Sequence, residues 1–443
     1  MPKCTSNEIE FGRLGRRQIV GNFDGGEISS EGGLMLLRQV DRKIGLTSAL
    51  GKALSDGRDP ARIKHSLRSL IAQRLYAQCQ CWEDLNDHDT LRHDLVMQTA
   101  VGTTEPLASA PTLCRLDNRA TRAQAWALHG VLVEQFIAQF KTPPEEWVLD
   151  FDASDIPLHG DQEQRQFHGY YDHYCYLPLY VFCGQAMLAC YLRNSRIDGA
   201  KHAAAVLKLL VGRLRQSWPQ VRIIVRADSG FCRQRLLRWC ERHDVGYVIG
   251  MARNPRLQTL VADQEVQMQA QFQTTGLKQR FIGELRYGAQ SWNVQRRLIT
   301  RLEYGTQGNN PRFVVTNLEL PAEELYDKLY CQRGEAENRI KEVQLDLFGT
   351  RASCHKFAAN QLRLLWAALA YTLMERLRAL ALAGTELQRA CTSTIRVRLL
   401  KIGVAIVRNT RRVRLMLIRS NTSSCPPCER WLRNSPTVLS PAR

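Results

Sequence analysis

The sequence predicts an α/β fold: a mixed sheet flanked by helices, with a β-rich insertion and a helical N-terminal domain. Three observations predict it. Between about 147 and 250, short apolar segments come first as a hairpin pair and then alternate with helical stretches, which suits a mixed sheet with helices on its faces. Before them, residues 1 to about 145 read as mainly helical. After Arg253-Asn254-Pro255 the alternation stops and Arg-rich, strand-like segments follow.

In order, Ser29-Ser30-Glu31 can cap a helix that carries Leu34, Leu37, Val40 and Ile44. A second helix is expected from about His65 to Asp84, and a third from about Thr121 to Phe140, closed by Pro143-Pro144. Strands follow at 147–152, 176–183 and 186–192, with a turn at Gly184-Gln185. A helix at about 199–217 leads to the buried strand 222–227, which ends at Asp228. A helix at about 233–243 leads to the strand 247–250. Segments 281–287, 292–304 and 312–316 read as strands of the insertion. Residues 395–419 alternate basic and apolar and read as a basic hairpin. The tail from Ser420 is rich in Ser and Pro and reads as loosely ordered.

The 443 residues suffice for two or three domains. With 61 Lys and Arg against 43 Asp and Glu, the net charge of +18 favours a polyanionic partner, nucleic acid first. The longest apolar run, Leu364 to Met374, is far short of the roughly 20 residues a bilayer requires, so no membrane partner is expected. No signal peptide is expected from Met1-Pro2-Lys3-Cys4. The 14 scattered cysteines read as reduced cytosolic thiols. A lone Cys425-Pro426-Pro427-Cys428 lacks the second pair a zinc site needs.

Residues 325–347 carry the chemistry. At roughly 100° per residue, Leu325, Leu329, Ala336, Ile340, Val343 and Leu347 form an apolar stripe. Tyr330, Arg333, Glu337, Lys341 and Gln344 fall on the adjacent face, while Glu335 and Glu342 point to water. Upstream, Asp150 and Asp152 alternate with Leu149 and Phe151 and share one strand face. Carboxylates in an apolar strand need compensation, and a divalent cation provides it. The plainer alternative is a pair of strand-end acids bonded to a turn. For Asp228 before Ser229-Gly230 the alternative is a helix N-cap.

Tyr330, Arg333 and Glu337 match the start of Tyr-x(2)-Arg-x(3)-Glu-x(6)-Lys, a pattern of bacterial insertion-sequence DDE transposases with a ribonuclease-H-like core. Gln344 stands where that pattern has Lys, and Lys341 can substitute one turn earlier. With Leu149 to Asp155, Arg226 to Phe231, His168-Gly169-Tyr170-Tyr171 and Leu177-Pro178-Leu179, the chain resembles the insertion-sequence 1380 family from about Phe23 to Arg419.

The resemblance implies a ribonuclease-H-like core holding two Mg²⁺ ions, or Mn²⁺, on Asp152, Asp228 and Glu337. Asp152-Ala153-Ser154 fits the family's Asp-x-Thr/Ser, so Asp152 takes the metal role and Asp150 supports it. Arg333 and Tyr330 would grip a phosphate beside the scissile bond. Lys341, Arg253 and Trp292 would also meet DNA, Trp292 by stacking on an unpaired base, although a sheet-core tryptophan is the plainer reading. The implied domains are 1–145 (helical, DNA-binding), 146–254 and 321–380 (catalytic core), 255–320 (β-rich insertion) and 381–443 (basic C-terminal region). The implied activity is hydrolytic cleavage at terminal inverted repeats and strand transfer into target DNA, by a homodimer in the bacterial cytoplasm at the nucleoid. Other readings are an inactive relative that represses by binding ends, and a nuclease without strand transfer.

Overall fold

A computed structural model describes residues 9–23 and 26–417; the Ser/Pro-rich tail and the Cys425–Cys428 pair lie outside them. The two helices expected from about His65 and about Thr121 are present as α2 (Leu67–Cys79), capped by Ser66, and α3 (Arg122–Ile137), opened by a reciprocal capping box of Thr121 and Gln124. Ahead of them lies α1 (Leu34–Ile44), which starts after Gly33 with no side-chain cap. Ser29 is not its cap: it ends the short strand Ile28–Ser29, and its Oγ accepts from the Glu31 amide at 3.1 Å. Gly33 is dictated by packing, since a Cβ there would lie 2.1 Å from the Leu399 carbonyl oxygen. The N-terminal segment is not all helix, because Ile9–Leu14 and Arg17–Gly21 pair as an antiparallel hairpin.

The centre of the molecule is a nine-stranded mixed sheet. Its strands include β1 (Glu146–Ala153), β2 (Leu179–Cys183), β3 (Ala186–Tyr191), β4 (Arg222–Ala227) and β5 (Gly246–Met251). They continue with β6 (Gln279–Tyr287), β7 (Arg296–Gly305) and β8 (Arg312–Thr316). The order is β6-β7-β8-β5-β4-β1-β2-β3, with the short Gly308–Asn309 segment pairing β7. β4 runs parallel to both β1 and β5, and the other neighbours are antiparallel.

Strand alternation divides the side chains between two cores. Leu149, Phe151, Val181 and Val225 face a cluster completed by α4 (Ala203–Ser217), α5 (Gln234–Arg242) and α6 (Pro255–Thr275). On the other face, Tyr180 and Phe182 pack with the N-terminal helices and α8 (Phe357–Ala381). The run Leu364 to Met374 lies within α8 and is buried on every side, which explains why it is apolar without period. No helix among the described residues is long and apolar enough to cross a membrane.

Segment 255–320 departs from the sequence expectation of a β-rich insertion. It begins with the 21-residue α6, and β8 pairs with β5, so these strands continue the central sheet. Asn254-Pro255 is not a break. The Asn254 side chain accepts from the Leu257 amide at 3.0 Å, and Pro255 opens the helix. At the C-terminal side, Val404–Arg408 and Val413–Leu417 do form a hairpin. Residues 396–400 are helical instead, because Arg396 turns inward to the carbonyls of Cys79 (2.8 Å) and Asp346 (2.6 Å).

Candidate functional site

Asp152 is the penultimate residue of β1, and Asp228 directly follows β4. The two strands are parallel, with Ala227 opposite Phe151, so the register brings both carboxylates to the same end of neighbouring strands. A cleft at the carboxyl ends of parallel strands is a usual place for ligands. Asp228 also caps the turn Ser229–Phe231, its Oδ1 accepting from the Gly230 amide at 2.9 Å. That capping uses one oxygen and leaves the other available.

The third acid comes from a distant segment. Glu324–Tyr330 is a π-helical stretch, followed by a tight turn at Cys331–Arg333 and then α7 (Gly334–Lys341). Glu337, on α7, is joined to Asp152 through Arg333. The Arg333 guanidinium donates from Nη2 to Glu337 Oε1 at 2.6 Å and lies with Nη1 3.5 Å from Asp152 Oδ2. Burial pushes Asp152 up to about 7, and repulsion from Asp228 and Glu337 adds to this against the pull of Arg333. Burial opposes the charge on Arg333, but Asp152 and Glu337 outweigh it and hold the guanidinium above its ordinary value.

Tyr330 is half-buried in the same cleft. Its phenol is raised by burial, with Asp228 among the lesser contributors. Gly250 makes room for it, since a Cβ there would sit 2.5 Å from the Tyr330 hydroxyl and 2.9 Å from the Ser229 amide. Lys341 is exposed on α7. Gln344, where the pattern has Lys, donates to Ser154 Oγ and to the Asp155 carbonyl, both at 3.1 Å, and so fastens the end of β1.

Arg253 follows β5 and ties down the loop before β8 through the Pro311 carbonyl (3.0 Å) and Asn310 Oδ1 (2.8 Å). Trp292 packs edge-on to Tyr287 at 5.9 Å beneath the Arg296 guanidinium, at the margin of the core. The structure thus brings Asp152, Asp228, Glu337, Arg333 and Tyr330 together, while Arg253 and Trp292 are engaged with their own loops.

Glu342 corrects the helical wheel. It does not face water: it accepts from the Thr392 amide at 2.7 Å, from the Thr392 hydroxyl and from Arg378. The π-helical turns on both sides of α7 change the angle per residue, so a uniform 100° wheel loses register there. Glu335 does point outward, with its side chain 65% exposed.

Sequence reasoning missed Arg226 and Arg339, which are both buried. Arg226 forks onto Asp150 (Nε–Oδ1 2.5 Å, Nη2–Oδ2 2.9 Å) and donates from Nη1 to the Leu329 carbonyl at 2.6 Å. Arg339 Nη2 lies 3.4 Å from Asp150 Oδ2. A signal was present: an arginine between Val225 and Ala227 in a buried strand must have a partner.

By chemistry the three acids fit a hard divalent cation, because Asp152 is mostly buried and repelled by Asp228 and Glu337, with the Ala153 amide at 2.8 Å and the 3.5 Å contact to Arg333 as its partial offsets. Among the described residues no three His, Cys, Asp or Glu side chains close into a ligand cluster. Arg333 instead lies between Asp152 and Glu337.

A family model, described as transposase DDE domain group 1, matches residues 11–431. No curated protein matches the chain in sequence. Among solved structures the chain is similar to one described as a piggyBac transposase synaptic complex with hairpin DNA. The identity is 11%, the TM-score 0.43, and the match covers 83% of this chain and 80% of that one.

Proposed function

The chain belongs to the transposase DDE domain group 1 family, and from that premise we propose that it cleaves DNA at transposon terminal inverted repeats and joins the freed ends to target DNA. The observation that carries the proposal is the placement of Asp152 and Asp228 at the same end of the parallel strands β1 and β4, with Glu337 tied to Asp152 through Arg333. The strand order supports a ribonuclease-H-like core: three antiparallel strands, β3-β2-β1, continue into the parallel pair β4 and β5. Membership of the insertion-sequence 1380 group is proposed from the segments 149–155, 168–171, 177–179 and 226–231.

Asp152, Asp228 and Glu337 would hold Mg²⁺, or Mn²⁺, in a two-ion site. Such ions supply activation of a water or a 3′-hydroxyl and neutralise charge on the leaving oxygen. The chain's own residues orient the substrate. Arg333 presents a planar donor fork to a phosphate, and Tyr330 lines the cleft beside Asp228. Burial of Asp152 strengthens every electrostatic interaction made there.

The net charge of +18 supports duplex DNA as partner. Joining two ends in one complex requires two active sites, which supports a homodimer. A location in the bacterial cytoplasm at the nucleoid belongs to the same proposal. The division into a DNA-binding N-terminal part (1–145), a split core and a basic C-terminal part belongs to the same proposal.

The test is nicking and joining of a labelled end duplex with Mg²⁺. Nicking with joined products supports a transposase, and nicking alone identifies a nuclease. Binding without nicking by the intact chain identifies an inactive end-binder.

A further inference from the structure

Asp150, Arg226 and Arg339 form a buried ionic triad, and each lies two residues from one of the three site acids: Asp152, Asp228 and Glu337. The triad therefore joins β1, β4 and α7, the elements that carry Asp152 and Glu337 and lead directly into Asp228. Asp150 is only 1% exposed and takes the bidentate fork of Arg226. Arg226 also holds the Leu329 carbonyl, at the foot of the segment that leads into α7. Arg339 reaches back from α7 to the same carboxylate and lies 5.6 Å over the Phe182 ring of β2.

Burying three charges is a weak route to stability, since well-packed apolar residues of similar volume often do as well or better. A bidentate guanidinium–carboxylate pair does something apolar packing does not: it admits one orientation and one distance. We propose that Asp150, Arg226 and Arg339 are positioning residues that set the separation of Asp152, Asp228 and Glu337, and so fix the affinity of that site for divalent cations. The inference rests on the metal-dependent reading given above. It assigns these residues no contact with DNA or with the cation.

The test is Mn²⁺ titration of the metal-free full-length chain, with free Mn²⁺ read by electron paramagnetic resonance well below the unfolding temperature. Wild type, Arg226→Lys, Arg339→Lys and Asp152→Ala are compared, with thermal unfolding and end-duplex nicking in parallel. Arg226→Lys keeps the charge but loses the fork. Supporting residues around a metal site typically change affinity by about 10–100-fold, and a weakening of at least ~10-fold is expected for Arg226→Lys with cooperative unfolding retained. If Arg226→Lys does not fold, Arg339→Lys carries the same test, because its link to Asp150 is one 3.4 Å contact and its other polar partner is the exposed Glu335. Wild-type Mn²⁺ affinity in the folded Lys variants overturns the inference. A wild type that binds no Mn²⁺ overturns the metal-dependent reading itself, and this inference with it.

Discussion

The Arg333 guanidinium is 2.6 Å from Glu337 and one helical turn away from it, and its other nitrogen reaches toward Asp152. One cation thus stands where a metal ion would also stand, and Arg333 competes for the carboxylates it is meant to serve. We predict opposite effects for two substitutions. Glu337→Gln abolishes nicking in Mg²⁺ and leaves end binding intact, because an amide is a weaker ligand and keeps good helix propensity. Arg333→Ala lowers the Mg²⁺ concentration for half-maximal effect but cuts nicking by at least ~10-fold through loss of a phosphate grip. A raised Mg²⁺ requirement in Arg333→Ala would show that the guanidinium helps the cation instead of competing with it.

Glu335 and Glu342 separate a surface acid from a structural one. Glu335→Gln should match wild type in nicking and melting temperature, since an exposed ion pair contributes about 0–1 kcal/mol. Glu342→Gln should destabilise by about 1–3 kcal/mol, because the Arg378 charge loses its partner and the Thr392 amide loses a carboxylate. Urea unfolding of the two variants decides this, and equal midpoints would remove the structural role of Glu342.

That pair also shows how far the sequence is legible. Short apolar segments place β1, β4 and β5 correctly, and the helices expected from about His65 and about Thr121 occur. Asp152, Asp228 and Glu337 stand out because each sits in a recognisable local pattern. The facing of Glu342 does not, since hydrogen-bonding in the flanking turns, not composition, sets the angle between successive side chains. α6 is hidden in the sequence because only Leu257, Val261 and Met268 of its 21 residues are buried, which is too thin a stripe to register as amphipathic. Asp150 is legible as an acid near the site, but its two guanidinium partners come from segments 76 and 189 residues away.

Asp152 gives a pH dependence of stability with a definite sign. Its folded pKa is raised to about 7, whereas an unfolded Asp titrates near about 3.9. Between these values the folded chain keeps a proton that the unfolded chain has lost, so metal-free stability falls as pH rises from about 4 to about 7 and then levels. At about 1.4 kcal/mol for each pH unit between the two pKa values, the effect is on the order of a few kcal/mol. Asp152→Asn does not titrate there, so its stability relative to wild type should improve across that window. The comparison is of urea midpoints at pH 4.5 and 7.5 in EDTA. A gap between the two proteins that stays constant with pH would mean that Asp152 is not desolvated as the fold indicates.

Lys341 and Gln344 divide the work of the lysine that the helix pattern expects. Lys341 is exposed one turn beyond Glu337, free in geometry to meet a phosphate, while Gln344 is spent on Ser154 and the Asp155 carbonyl. Each phosphate neutralised by a cationic side chain adds about 0.9 to the slope of log affinity against log salt on duplex DNA. Lys341→Ala should therefore weaken end binding and reduce that slope by about 0.9, measured in EDTA so that no metal contributes. Gln344→Ala should leave the slope unchanged and lower nicking, because it loosens the end of β1 two residues beyond Asp152 without removing a charge. If instead Gln344→Ala changes the salt slope and Lys341→Ala does not, the amide is the DNA contact, and the proposed substitution of Lys341 for the pattern's lysine fails.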